Sequence, residues 1–156
     1  MIFVTVGTNE TPFDRLLRGV DEAGIEEELV VQYGSSDVRP RGARCVESVP
    51  FDELLDLARR ADAVVAHAGV GSIVALLTIG KRPVVVPRLH RLGEAVDDHQ
   101  LHFGRKLHEA GLVELVEDEK RLGEAIGRAR DTRAVELSTD GALAAELRDY
   151  IQGYSR

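Results

Sequence analysis

Short runs of β-branched apolar residues alternate with helical segments along this chain, and that alternation restricts the fold more than any other feature. Residues 2–6, Ile-Phe-Val-Thr-Val, form a largely apolar run. Such runs suit strands buried on both faces. Gly7-Thr8-Asn9 breaks the run, and Pro12 opens a helix with Phe13, Leu16, Leu17 and Val20 at helical spacing. Further strands are expected over 29–33, 45–49, 63–66, 84–86 and 112–116. Helices are expected over 51–60, 73–79 and 94–110, then near 119–129 and 141–154. This order predicts an α/β fold: a Rossmann-like parallel sheet with helices on both faces. No repeat, linker or low-complexity segment interrupts it, so one domain over residues 1–156 is expected. Ligands of such sheets bind outside the carboxyl ends of the strands. The loops of interest are therefore 7–10, 34–37, 67–72 and 88–100.

Composition narrows the partners. The formal net charge is −7, which disfavours a nucleic-acid surface but leaves room for a phosphate held by backbone groups. A single cysteine, Cys45, allows no intrachain disulfide and suits a cytoplasmic protein. The first residues lack a basic segment followed by a long apolar core, so no signal peptide is expected. The longest apolar stretch, 63–79, is interrupted by His67, Gly69 and Gly71. It falls short of the roughly 20 residues of a membrane span, so no transmembrane segment is expected.

The strongest local motif is His67-Ala68-Gly69-Val70-Gly71-Ser72, between a strand and a helix. Glycines let the backbone approach a ligand, and a helix start offers free N–H groups to phosphate. A plain tight turn fits the spacing equally well. The motif lacks the Gly-Lys-Ser/Thr of a P-loop, and it does not follow the first strand as a dinucleotide fingerprint should. Gly7-Thr8 is a second candidate phosphate or sugar loop, and also an ordinary turn sequence. Asp97-Asp98-His99-Gln100 groups side chains able to bond sugar hydroxyls, or else an acidic first turn complementing its own helix. His99 and His102 lie three apart, but no third ligand has convincing spacing, so no metal site is expected.

In combination these residues resemble a known family. Phe3-Val4-Thr5-Val6-Gly7-Thr8, with Pro12-Phe13-Asp14-Arg15-Leu16, resembles donor-binding subunits of bipartite glycosyltransferases. These are the bacterial polysaccharide galactosyltransferase pair and the dolichol-pathway N-acetylglucosaminyltransferase. His67-Ala68-Gly69, Gly80-Lys81-Arg82-Pro83, Val86-Pro87-Arg88, Gly93-Glu94 and Asp98-His99-Gln100 are similar to the C-terminal domain of glycosyltransferase family 28. The resemblance covers about residues 1–116 and implies the C-terminal half of a GT-B enzyme with a UDP-sugar donor. It places the backbone near Phe51 at the uracil. Gly69, Val70, Gly71, Ser72, Gly7 and Thr8 would face the diphosphate, and His67 belongs to the donor site. Arg88 belongs to the same donor site, and Asp98, His99 and Gln100 would face the sugar. No cofactor and no metal are implied. Many members carry a ribose-binding glutamate where this chain has Ala75, and Glu94 is the candidate replacement.

The expected function is a heteromeric transferase. This chain would hold a UDP-hexose or UDP-N-acetylhexosamine, and a membrane-associated partner subunit would hold a lipid-linked acceptor. The chain itself would be cytoplasmic, recruited to the inner membrane face, with its last helix as the docking element. The alternatives are a non-catalytic nucleotide-sugar-binding regulator, and an unrelated small α/β enzyme such as a phosphatase or reductase. The absence of a nucleophile motif weighs against the last.

Overall fold

The computed structural model describes residues 1–131 together with Ala145 and Leu147. Six strands form one sheet: β1 Ile2–Thr5, β2 Leu29–Gln32, β3 Arg44–Val46, β4 Ala63–His67, β5 Val84–Val86 and β6 Glu114–Leu115. Within residues 1–131 five α-helices accompany them: α1 Asp14–Glu22, α2 Phe51–Arg60, α3 Val70–Thr78, α4 His99–Glu109 and α5 Leu122–Asp131. All ladders are parallel, in the order β3-β2-β1-β4-β5-β6. The chain winds outward from β1 to β3, then returns to the centre and winds the other way from β4. Between β1 and β4 the crossover helices change faces, which leaves a crevice at the strand ends.

The sheet is buried on both faces, as its apolar strands require. On one side Ile2, Val4 and Val65 pack with Leu16, Leu17 and Val20 of α1 and Leu122 and Ile126 of α5. On the other, Phe3, Val30, Val64 and Val85 meet Leu57 of α2, Ile73 and Leu77 of α3, and Phe103 and Leu107 of α4. Leu147 also packs on this second cluster. Apart from it and Ala145, the expected helix 141–154 lies outside the described residues.

Several boundaries differ from the sequence expectation, for local reasons. Pro12 precedes α1 instead of opening it, because the Phe13 N–H is tied to Ser36 Oγ at 2.8 Å. β3 is cut to Arg44–Val46, although its neighbour still reaches past it through Gly34 N to Glu47 O at 2.9 Å. α3 begins three residues before position 73, so the supposed turn is its first turn. α4 begins at His99, not 94. A 3-10 turn at His90–Leu92 ends on Gly93, whose φ of +69° suits glycine, and side-chain bonds hold Glu94 against that turn. The last strand is only Glu114–Leu115, flanked by buried Val113 and Val116. A further 3-10 turn, Glu119–Arg121, precedes α5.

Candidate functional site

A cavity of about 620 Å³ opens where the winding reverses, at the carboxyl ends of β2, β1 and β4. Its floor is Gly7, Thr8, Asn9, Gln32 and His67. One wall is apolar: Val49 and, from the start of α2, Phe51 and Leu54. The opposite wall is the start of α3, with Gly69, Gly71 and Ser72.

The α3 wall is built to receive negative charge. Gly69 is its N-cap, without a side-chain cap, and no acidic residue occupies the first turn. The first N–H closed within this helix is that of Ile73, to Gly69 O at 3.0 Å. The N–H groups of the preceding helical residues have no intrahelical partner, and they carry the positive end of the helix dipole. Val70 contributes its backbone here, while its side chain packs on the second core cluster. A Cβ added at Gly71 would meet no atom within 4 Å. The fold does not need a glycine there; its absent side chain leaves space in the cavity.

Gly7 and Gly69 have a different reason to be glycine. A Cβ at either would overlap the His67 ring, which lies between them. Gly7 also has a φ of +79°, in the region that favours glycine. The imidazole therefore fills the gap between the β1 loop and the α3 turn. It is 8% exposed. Burial, with the nearby Arg88 charge adding to it, lowers its pKa to about 4, so the ring is neutral at pH 7. Its Nε2 lies 3.3 Å from Ser72 Oγ, and its Nδ1 is buried without a hydrogen-bond partner. Which of the two donates follows the imidazole tautomer, and the Ser72 hydroxyl lines the cavity beside the ring.

Behind the floor lies a scaffold of polar side chains that do not line the cavity. Arg88 is fully buried. It donates to Val6 O at 3.0 Å and Thr11 O at 2.8 Å, and stacks 4.6 Å from the centre of the Phe13 ring. Gln100 Oε1 accepts from Ala68 N and Arg88 N, each at 3.1 Å, which fastens the β4–α3 turn to the loop after β5. Glu94 is 6% exposed and pairs with Arg15 Nε at 2.9 Å, while Leu89 N donates to its Oε2 at 3.0 Å. These bonds occupy the carboxylate away from the cavity. In this structure the Glu94 carboxylate, the candidate ribose ligand of the sequence expectation, is engaged by Arg15 and the Leu89 N–H. Asp98 Oδ1 accepts from His90 N at 3.1 Å, and His99, the first residue of α4, pairs with Asp97. Thus Gly7, Thr8, Phe51, His67, Gly69, Gly71 and Ser72 come together around one cavity, whereas Arg88, Glu94, Asp98, His99 and Gln100 do not reach its lining.

Sequence reasoning missed Asn9, Gln32, Val49 and Leu54. The available signal was Gln32, an amide ending an otherwise apolar strand. Two further clefts, about 380 and 270 Å³, lie at the opposite end of the sheet. In them Glu27 pairs with Arg130 and Asp21 with Arg41. Among the described residues no three His, Cys, Asp or Glu side chains converge as a metal-binding group, and no helix is long and apolar enough to cross a membrane.

Known proteins resemble this chain in sequence and in fold. The chain is 30% identical over 98% of its length to the human UDP-N-acetylglucosamine transferase subunit ALG13, covering 14% of that protein. It is 37% identical over 83% of its length to the UDP-N-acetylglucosamine--N-acetylmuramyl-(pentapeptide) pyrophosphoryl-undecaprenol N-acetylglucosamine transferase of Trichlorobacter lovleyi, covering 34% of it. The chain thus spans a minor part of these relatives. Among solved structures, the kitacinnamycin glycotransferase superposes with a TM-score of 0.62 at 21% identity, over 98% of this chain and 39% of that one. SnogD from Streptomyces nogalater gives 0.59 at 24% identity, over 99% and 39%. The fold is therefore that of the C-terminal half of GT-B glycosyltransferases. Residues 1–152 match the glycosyltransferase family 28 C-terminal domain, and the chain belongs to that family.

Proposed function

We propose that this chain is the donor-binding part of a glycosyltransferase that uses a UDP-sugar. The observation that carries the reading is the polarity of the cavity: an uncapped, acid-free helix start faces an apolar wall across the winding reversal. A nucleoside diphosphate matches both sides. Its diphosphate sits at the N-terminus of α3, assisted by the Gly7–Thr8 loop and the Ser72 hydroxyl. Its base lies against Phe51 and Leu54. The sugar then projects toward the rim that carries Asp98 and His99. UDP-N-acetylglucosamine is the donor to test first, since that sugar nucleotide is named in both relatives above.

In the transfer, the bond from sugar C1 to the diphosphate oxygen breaks and a bond from C1 to an acceptor hydroxyl forms. UDP leaves with the bonding pair, and the acceptor proton passes to a base. Fixed N–H dipoles at the leaving diphosphate stabilise the charge that develops there without a metal. Among the described residues the cavity lining contains no carboxylate, and His67 is enclosed between two glycines. The base therefore comes from a partner that holds the acceptor. The human relative is itself called a subunit, and the bacterial one is named for a pyrophosphoryl-undecaprenol acceptor. Both support a cytoplasmic chain recruited to a membrane partner with a lipid-linked acceptor. The lining without a base equally favours a second reading, a non-catalytic nucleotide-sugar-binding regulator.

Calorimetry of the full chain with UDP, ADP and UDP-N-acetylglucosamine tests the site. Tighter binding of the uridine compounds supports it, and no binding of any nucleotide refutes it. Turnover on adding the partner and a lipid-linked acceptor, with none for the chain alone, separates the transferase from the regulator.

A further inference from the structure

The cavity floor holds a polar side chain that the assignments above leave unused. Gln32 ends β2 and is 2% exposed. It pairs in register with Thr5 of β1. Side chains two residues apart share a sheet face, so both lie on the face of Phe3 and Val30, the one covered by α2, α3 and α4. Their contact orients the carboxamide. The Thr5 hydroxyl donates to Gln32 Oε1 at 2.6 Å, while the Thr5 oxygen accepts the Gly7 N–H at 3.2 Å. With its oxygen engaged, the carboxamide offers a donor-only NH2 group. Among the described residues no acceptor takes those protons. Gln32 lies between the apolar wall and the start of α3. That NH2 group belongs to the cavity lining, and a ligand oxygen there would give it the acceptor that its protein neighbours do not supply.

We propose that Gln32 contacts the ligand: its NH2 donates to an oxygen of the nucleoside diphosphate where ribose joins the diphosphate. This rests on the nucleotide reading of the cavity. With the base on the Phe51 wall and the diphosphate on α3, that junction lies over the end of β2. Ala75 has no polar side chain, and the carboxylate of Glu94 is held by Arg15. Gln32 is a buried amide donor of this lining.

The test is calorimetry of the full chain and its variants with UDP and 2′-deoxy-UDP. Gln32→Met removes the donor at similar length. Gln32→Glu keeps an oxygen for Thr5 and turns the donor end into an acceptor. UDP affinity is expected to fall about tenfold in the methionine variant, one hydrogen bond's worth, and further in the glutamate variant. If ribose supplies the oxygen, 2′-deoxy-UDP binds parent and Gln32→Met alike; if phosphate does, both ligands lose affinity together. Either pattern supports the contact. Unchanged UDP affinity in Gln32→Met overturns it. So does an equal loss in Thr5→Val with no additional loss in the double variant, since Gln32 would then act only through the Gly7 loop. Failure of the parent to bind any nucleoside diphosphate defeats the nucleotide reading itself; parental binding with an indifferent methionine variant defeats only this contact.

Discussion

The helices α2 and α3 start on opposite walls of one cavity, yet their first turns are opposite in character. α2 opens with Asp52 and Glu53 and closes with Arg59 and Arg60, so its own side chains complement its dipole. α3 has no acid in its first turn and no base in its last. Its start is Gly-Val-Gly-Ser, which adds N–H groups and one hydroxyl but no negative charge. A helix that complements its own dipole gains stability; one left uncompensated keeps its positive end for a ligand. On the proposed reading this difference would orient the nucleotide, with the anion at α3 and the base at α2.

The largest effect should come from giving α3 what α2 already has. Gly71→Asp sets a carboxylate in the first turn of α3, where a new Cβ meets open space. The helix dipole then favours the variant by roughly 0.3–1 kcal/mol, so the melting temperature should hold or rise. UDP affinity should fall by about a hundredfold or more, through charge repulsion and filled space. The reciprocal change, Asp52→Ala, should weaken stability slightly and leave UDP affinity within about twofold. Comparable losses of binding in both variants would erase the distinction between the two helix starts.

Next in size is the difference between glycines within one motif. Gly69→Ala drives a methyl group into the His67 ring, whereas Gly71→Ala does not touch it. Overpacking of this kind costs about 1–3 kcal/mol, against a neutral or slightly favourable change at Gly71. Denaturant unfolding measures both. His67→Ala should rescue part of the Gly69→Ala loss, which a double-mutant cycle quantifies. Additive losses would mean that the ring and the glycine do not meet.

His67 also gives stability a pH signature. Its folded pKa, about 4, lies below the unfolded value of 6.5. Between these values the unfolded chain binds the additional proton, so stability is fully present above pH 6.5 and declines as pH falls toward 4. The decline from this group is up to about 3 kcal/mol. Asp21, Asp62 and Asp97 have lowered pKa values, Asp21 from backbone and side-chain bonds to Arg41, Asp62 from the N-terminal amine and Asp97 from bonds to His99. Their contributions are therefore lost below the ordinary carboxylate range, in a separate window. His67→Asn should flatten the stability curve between pH 6.5 and 4.5. An unchanged slope would mean that the imidazole is solvated.

Much of this was legible from pattern. The strand runs, the helix opening at Phe51 and the parallel sheet follow from apolar periodicity, since a strand buried on both faces has little choice of composition. The cavity's glycines were legible as a group, but their separate roles were not. Spacing cannot say that Gly7 and Gly69 yield to an imidazole while Gly71 yields to open space. The positions of Glu94 and Gln100 share one difficulty. Charged and amide side chains beside a binding loop serve a ligand or the loop, and only the positions of Arg15, Ala68 and Arg88 decide between these. Gln32 escaped notice because one amide at a strand end gives no period.

The smallest expected effect concerns the α2 wall. Phe51 is 60% exposed, an unusual state for a phenylalanine beside buried Leu57 and Ala58 of the same helix. Exposed that far, it adds little to the fold, and Phe51→Ala should alter stability by less than about 1 kcal/mol. A base laid against the ring would cover it, and stacking of a base on an aromatic side chain is worth about 1–3 kcal/mol when removed by alanine. Edge contact on a half-open wall belongs at the low end, so UDP affinity should fall roughly three- to tenfold. Inorganic pyrophosphate, which has no base, should bind parent and variant alike, because the contacts proposed for a diphosphate lie at α3 and the Gly7–Thr8 loop and not at Phe51. Titration of both ligands into both proteins therefore tests the two walls separately. Equal weakening of pyrophosphate and UDP would place Phe51 at the anion, and the assignment of ring to α2 and diphosphate to α3 would have to be reversed.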